Sequence, residues 1–293
     1  MNPQDEYTID KARVRASFDR AAASYDAAAV LQKEVRGRML ERLDYTRLAP
    51  RQILDAGTGT GHAARALAER YKDSHVVALD IALGMLRLTA AAEPWWRRFI
   101  PDGRRSAVCA DIENLPLQPA SMDLVWSNLA IQWCNDLDQA FGEMARVLRP
   151  EGLLMFSTFG PDTLKELREA SAADPSHVHV SRFIDMHDIG DALVRAGFSA
   201  PVMDVEHFVL TYDDVLGVMR DLKAIGARNA AQGRPRGLEG KGFLARLTER
   251  YERYRDQGKL PATFEVVYGH AWKSETAAST LPDGASVIKL HSR

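Results

Sequence analysis

Cysteine is nearly absent: the chain has 293 residues and only Cys109 and Cys134. No C-x-x-C pair occurs. Two isolated cysteines at this length are expected as reduced, buried thiols, the usage of a cytoplasmic protein. An excess of either charge is also lacking, since 38 basic and 40 acidic residues leave a formal net charge of −2. No global field therefore argues for nucleic acid or an anionic membrane as partner. No apolar run approaches the roughly 20 residues of a spanning helix. The opening MNPQDEYTIDKARVRASF has no apolar core, so a signal peptide is not expected. Histidine, cysteine and carboxylates nowhere cluster at metal-ligand spacing, and no metal is expected. Internal repeats are missing too. What remains is 46% hydrophobic and 27% charged, an ordinary globular balance. The length suits one large domain, or a domain with a substantial insertion.

Helical spacing of Val14, Phe18, Ala22 and Tyr25, then of Leu31, Val35, Met39 and Leu43, predicts two amphipathic helices ahead of Pro50. Short apolar runs then alternate with helical stretches. QILDA, HVVALD, SAVCAD, MDLVWSN and EGLLMFSTF read as strands. HAARALAERY, ALGMLRLTAAA and DLDQAFGEMARVL read as the helices among them. This alternation is the signature of a doubly wound, mostly parallel α/β sheet. Beyond Gly160 the regularity weakens. DIGDALVRAGF is helical with Gly197 as its stop, VMDVEHFVLTY alternates as a strand, and DDVLGVMRDLKAIGARN is helical. AQGRPRGLEGKG is a loop. FLARLTERYERYRDQGK sets Phe243, Leu247, Tyr251 and Tyr254 on one helix face, and ATFEVVYGHAWK is a late strand.

A glycine loop, ILDAGTGTG from Ile53 to Gly61, joins the first of these strands to the next helix. Glycines there let a ligand approach the backbone closely. The dinucleotide pattern G-x-G-x-x-G fails, because His62 stands where its third glycine belongs. A phosphate-binding G-K-[ST] is missing as well. A Tyr-x-x-x-Lys pair, Tyr7 to Lys11, precedes the first strand and is a chance match. What matches is D-x-G-x-G-x-G, from Asp55 through Gly57, Thr58 and Gly59 to Gly61. It resembles the first motif of the class I methyltransferases that bind S-adenosylmethionine. That resemblance implies a seven-stranded Rossmann-like sheet. It also implies that Asp80, ending the second strand, accepts from the ribose hydroxyls. Asp111 would take the adenine amino group, the Ile112 N–H a ring nitrogen, and Asn128 with Leu129 would face the sulfonium.

The acceptor is read from other segments. ASFDRAAASYD, SNLAIQWCNDL, STFGPDTLKELREA, RFIDMHDIGDALVRAGF and LPATFEVVYGHAW together resemble the malonyl-acyl-carrier-protein O-methyltransferases of biotin synthesis. The likeness runs from about Arg13 to Trp272. It implies a helical cap over residues 1–50, a cofactor core over 51–160, an acceptor-side insertion or lid with the last strands over 161–273, and a loose tail over 274–293. The substrate implied is malonyl-acyl carrier protein, methylated on its free carboxylate. A carboxylate of pKa about 4 is already ionised at neutral pH and needs no general base. Alignment and exclusion of water are what the enzyme must supply. An arginine suits the carboxylate through its bidentate fork. Arg182, Arg149 and Arg228 are candidates, and the sequence does not choose among them. Tyr25 resembles a tyrosine that closes over the cofactor in the family. Gln132 and Trp133 would line the acceptor channel, and His270 would bond the acyl end. Between Arg234 and Lys259 eight basic residues stand against four acidic ones, a face that would steer an acidic carrier protein. Three rival readings are an assembly factor of this fold acting on a respiratory-complex protein, a non-catalytic cofactor-binding module, and a small-molecule carboxyl methyltransferase.

Overall fold

The computed structural model describes residues 7–91, 104–172, 183–227, 230–231 and 241–275. The predicted N-terminal helices are α1 (Lys11–Ala28) and α2 (Val30–Arg42). Asp10 caps α1, its carboxylate accepting from the Arg13 N–H at 3.1 Å. The alternating region follows as β1 (Gln52–Ala56), α3 (His62–Arg70), β2 (His75–Asp80), α4 (Leu83–Ala91), β3 (Arg105–Cys109) and β4 (Met122–Asn128). Then come α5 (Leu137–Val147), β5 (Leu148–Phe159), α6 (Lys165–Ser171), α7 (Met186–Arg195) and β6 (Phe198–Tyr212). The chain closes with α8 (Val215–Ala224), α9 (Lys241–Tyr251) and β7 (Leu260–Lys273). Helix α6 is the element that sequence periodicity did not isolate: it has only seven residues, too few for a period to register.

The seven strands of the described residues form one sheet in the order β3-β2-β1-β4-β5-β7-β6. The first five run parallel, while β7 is antiparallel to both β5 and β6. The strand order reverses between β1 and β4. A doubly wound sheet opens a crevice at that switch point, beyond the carboxyl ends of the strands.

Strands buried on both faces read as near-continuous apolar runs, and β1 and β4 do so. Ile53, Leu124 and Trp126 pack with Val35, Met39 and Leu67 on one side. Leu54 and Val125 pack with Phe141, Met144 and Phe156 on the other. The edge strand β3 is largely exposed, and Cys109 on it is exposed, contrary to the expectation of two buried thiols. Cys134 is half-buried, and burial pushes its thiol up to about 12. Of the tail expected at 274–293, only Ser274 and Glu275 are described, just past the end of β7; residues 276–293 lie outside the described residues.

Gly37 sits inside α2 with open space where a Cβ would project. Glycine in a helix interior costs about 1 kcal/mol relative to alanine. Gly37→Ala is therefore expected to raise the melting temperature by roughly 2–4 °C. A melting temperature unchanged or lowered in a thermal scan would contradict the open environment.

Candidate active site

The glycine loop is pinned by β2. Both Gly57 N–H and Thr58 N–H donate to the Leu79 carbonyl, at 2.8 and 2.9 Å. Asp80 then reaches across: its Oδ2 accepts from the Gly59 N–H and its Oδ1 from the Ala82 N–H, each at 2.8 Å. The three glycines differ in what demands them. Gly57 has φ +82° and would set a Cβ 2.2 Å from the Ala130 Cβ. Gly61, at φ +80°, opens α3 and would drive a Cβ into Thr89. Gly59, at φ +56°, meets only the Tyr25 ring at 3.8 Å, so its bare backbone faces open space. Beneath the loop, buried Asp55 accepts from the Thr58 hydroxyl at 2.6 Å. Burial raises the Asp55 carboxyl to about 7 and that of Asp80 to about 6.

Three cavities meet at Tyr25, and two of them reach this loop. A cleft of about 650 Å³ runs along the strand ends past Asp80, Asp111, Ile112, Asn128 and Leu129. One face of α1, Lys11, Val14, Phe18 and Tyr25, roofs it at helical spacing. A second cavity of about 930 Å³ lies between α2 and the loop, with Gln32, Arg36, Asp55, Thr58 and Asn128 in its wall. A third, an apolar channel of about 1400 Å³, passes under α8 between Phe18, Gln132, Trp133, Phe159, Leu167 and Phe264. Tyr25 lines all three. Burial pushes its phenol well above the usual tyrosine value, and the charges of Asp80 and Asp26 push it further. Leu129 holds a left-handed φ of +48°, costly for a residue with a Cβ. It is fixed there by its N–H, which donates to the Ser157 carbonyl at 3.1 Å and to the Ser157 hydroxyl at 3.0 Å.

Most residues singled out in the sequence gather here. Gly57, Gly59, Asp80, Asp111, Ile112, Asn128, Leu129 and Tyr25 line the cleft, with Asp55 and Thr58 in the adjoining cavity. Gly61 lines none of the three; its part is the turn into α3 and the packing on Thr89. Gln132 and Trp133 line the channel, and the Trp133 ring stands edge-on to Phe18 with centroids 5.3 Å apart.

Two residues fall elsewhere. Arg149 belongs to the opposite end of the sheet, where its guanidinium pairs with Asp123. Asp123 also accepts the Arg51 and Gln52 N–H groups, both at 2.8 Å, so this pair ties β4 to the start of β1. His270 pairs in register with Met155 and Val202, far along β7 from the channel end of the sheet, and lines none of these cavities. Burial there lowers its imidazole below the usual value. Arg182 and Arg228 lie outside the described residues; their chain neighbours Phe183 and Ala227 line the channel.

Two other residues escaped sequence reasoning. Lys11 pairs with Asp111 at 2.9 Å and with Glu113. Arg36 shares a cavity wall with Asp55, and burial lowers its guanidinium against the opposing fields of Asp55 and Tyr25. Each is a basic residue on an amphipathic helix, indistinguishable in sequence from a solvated one. On the basic segment, Arg255 is tied to Glu252 and Lys259 to Asp213. Among the described residues, Asp162, His207 and Glu265 bring possible metal-ligand atoms within 4.8 Å of one another. Asp162 already pairs with Lys165, and Glu265 accepts from the Asp162 N–H. No helix of the described residues is long and apolar enough to cross a membrane.

A glycine loop at the switch point, a buried carboxylate at the end of β2 and this strand order define a class I methyltransferase. Residues 54–156 match the methyltransferase domain model. Among solved structures, the YcgJ protein of Bacillus subtilis superposes with TM-score 0.58 at 15% identity, over 81% of this chain and 98% of that one. Phosphoethanolamine N-methyltransferase 2 of Haemonchus contortus, solved with S-adenosyl-L-methionine, gives TM-score 0.55 at 16% identity, over 87% of this chain and 57% of that one. Sequence similarity goes further. The chain is 69% identical to a malonyl-[acyl-carrier protein] O-methyltransferase of Methylovorus sp. over 99% of its own length and 97% of the relative's. It is 57% identical to one from Gallionella capsiferriformans, over 97% and 98%. The chain belongs to the malonyl-[acyl-carrier protein] O-methyltransferase family.

Proposed function

We propose that the protein methylates the free carboxylate of a malonyl thioester carried on acyl carrier protein, with S-adenosylmethionine as donor, the ester then entering biotin-precursor synthesis. One observation carries this reading: the apolar channel opens into the polar cleft at Phe18, Tyr25, Leu129 and Trp133. An acyl thioester fits such a channel, and an adenosyl group fits the cleft.

The cleft's donors and acceptors suit that group. Asp80 spends one lone pair of each oxygen on the backbone and keeps others for two ribose hydroxyls. Asp111, held by Lys11, takes the adenine amino group beside the Ile112 N–H. The bare backbone of Gly57 and Gly59 lets the methionyl chain lie close. Asp55 and Arg36 offer opposite charges to its ammonium and carboxylate ends, with the Thr58 hydroxyl beside them. Asn128 and Leu129 border the sulfonium, and Tyr25 closes over it. When bound, S-adenosylmethionine supplies an electrophilic methyl that a carboxylate oxygen takes in line, the electron pair of the broken C–S bond staying on sulfur.

The acceptor side fits a reaction without a base. Among the described residues, no histidine or carboxylate lines the channel. An ionised carboxylate needs none, and a second negative charge there would repel it. Leu167 of α6 and Met219, Leu222 and Lys223 of α8 supply part of this wall, which suits an acceptor-side lid over residues 161–273. Carrier docking falls to the basic segment, through Arg246, Arg250 and Arg253. Mass spectrometry of malonyl-acyl carrier protein, incubated with enzyme and S-adenosylmethionine, is expected to show one added methyl. No methyl on the carrier-bound malonate, or methylation of free fatty acids instead, would overturn this reading.

A further inference from the structure

Gln32 has a buried side-chain oxygen with no hydrogen-bond partner. Burying such a group unpaired costs about 1–3 kcal/mol, so each one calls for an explanation. Its position supplies one. Gln32 is the residue besides Tyr25 that lines both the channel and the cavity beside the glycine loop. It stands in the first turn of α2, and its own carbonyl accepts from the Asn128 side chain at 3.2 Å, which locks α2 to the end of β4.

Two other polar side chains of the channel are already engaged. Gln132 donates to the Leu129 carbonyl at 2.6 Å and accepts from Thr158 at 3.5 Å. Thr163 donates to the Glu265 carbonyl at 3.0 Å and accepts from the Glu265 N–H at 3.1 Å. Lys223, the one cation of the channel among the described residues, is exposed on α8. Of the nitrogen donors in this wall, that leaves the amide of Gln32 and the indole N–H of Trp133, neither of which has a hydrogen-bond partner among the described residues. Trp133 comes from the turn after β4 and Gln32 from α2, so the two approach from different walls.

We infer that Gln32, together with the Trp133 indole N–H, binds the acceptor's carboxylate at the mouth of the cofactor cleft and aims it for transfer. This rests on the proposed carboxylate acceptor and adds the groups that read it. The chemistry favours neutral donors. Carboxylate and sulfonium lose their charges together, so a cation fixed on the carboxylate would stabilise the starting state more than the transition state. Amide and indole N–H groups orient the oxygens with less of that penalty. Because Gln32 lines both cavities, its amide can present the NH₂ to the channel with its oxygen on the side shared with Lys33 and Arg36.

Gln32→Leu and Trp133→Phe keep bulk and remove the donors. Each is expected to lower kcat/KM for malonyl-acyl carrier protein about 10- to 100-fold. Calorimetric affinity for S-adenosylhomocysteine should stay within about threefold of wild type. A second readout is independent of turnover. Loaded with S-adenosylhomocysteine, the wild type should bind malonyl- in preference to acetyl-carrier protein, and Gln32→Leu should lose that preference. Gln32→Glu should be weakest at pH 8 and recover as the pH falls and its carboxyl protonates into a donor, a trend the wild type lacks. An intact malonyl preference in Gln32→Leu, or a loss of S-adenosylhomocysteine affinity as large as the loss of activity, would sink the inference alone. A wild type that leaves malonyl-carrier protein unmethylated would sink the substrate reading and this inference with it.

Discussion

Gly57→Ala is expected to abolish methyl transfer, lowering kcat/KM by about 1000-fold or more, with no detectable S-adenosylhomocysteine binding by calorimetry. The reason is a collision between two parts that have no slack. The added Cβ would lie 2.2 Å from the Ala130 Cβ, a methyl that cannot rotate away. Overpacking of that kind forces the backbone itself to move, at roughly 1–3 kcal/mol. The left-handed φ of +82° adds about 1–2 kcal/mol for any residue with a Cβ. Neither side can yield without disturbing function. Gly57 is tied to the Leu79 carbonyl, and Ala130 leads into the turn that carries Gln132 and Trp133. A displacement on the order of 1 Å in a reacting geometry costs about 100-fold, and here both donor and acceptor sides shift. Gly142→Ala is the control, since nothing approaches within 4 Å of its Cβ position. A Gly57→Ala protein that binds S-adenosylhomocysteine normally would show that the loop does not touch the cofactor.

Asp80→Ala is expected to weaken cofactor binding by about 100-fold or more, the loss of two hydrogen bonds to a charged group at about 1.5–3 kcal/mol each. Its effect also carries a pH signature. Burial raises the Asp80 carboxyl to about 6. In the unliganded protein, an acid whose folded pKa lies above its unfolded value stabilises the fold when protonated. That contribution is fully present below about 3.9 and is lost as the pH rises through about 6. Asp55 has the same sign, with its loss running through about 7. Ribose hydroxyls are donors and require the ionised form, so cofactor binding runs the other way and weakens below about pH 6. The rise in melting temperature caused by S-adenosylhomocysteine should therefore be larger at pH 7.5 than at pH 5.5, and Asp80→Asn should flatten the difference. An equal rise at both values in the wild type would place the sugar elsewhere.

Within the parallel half of the sheet, β1, β2 and β4 were legible because they are buried on both faces. QILDA, HVVALD and MDLVWSN stand out as apolar runs between helical periods, and β1, β2 and β4 occupy those residues. The glycine loop was legible for a related reason. A backbone that must adopt positive φ and admit a ligand accepts little but glycine, so Gly57, Gly59 and Gly61 mark it in the chain itself. Asp80 followed, since the end of β2 fixes where its side chain sits, and Asp111 lies two residues past the end of β3. The acceptor side was less legible. Arg149 and His270 qualified as charge and hydrogen-bond partners by type, but their strands carry them away from the channel.

Composition and local pattern thus determined a doubly wound sheet and a glycine-built cleft for a small ligand, because backbone geometry and apolar periodicity are written over a few consecutive residues. Only the tertiary structure decided that Lys11 meets Asp111, that Arg36 lies by Asp55, and that Gln32 and Trp133 share a channel 101 positions apart in the numbering. Those meetings depend on how α1 and α2 fold back over the strand ends. Such long-range packing leaves no period in the chain, and a polar residue on a helix reads the same whether it faces water or a substrate.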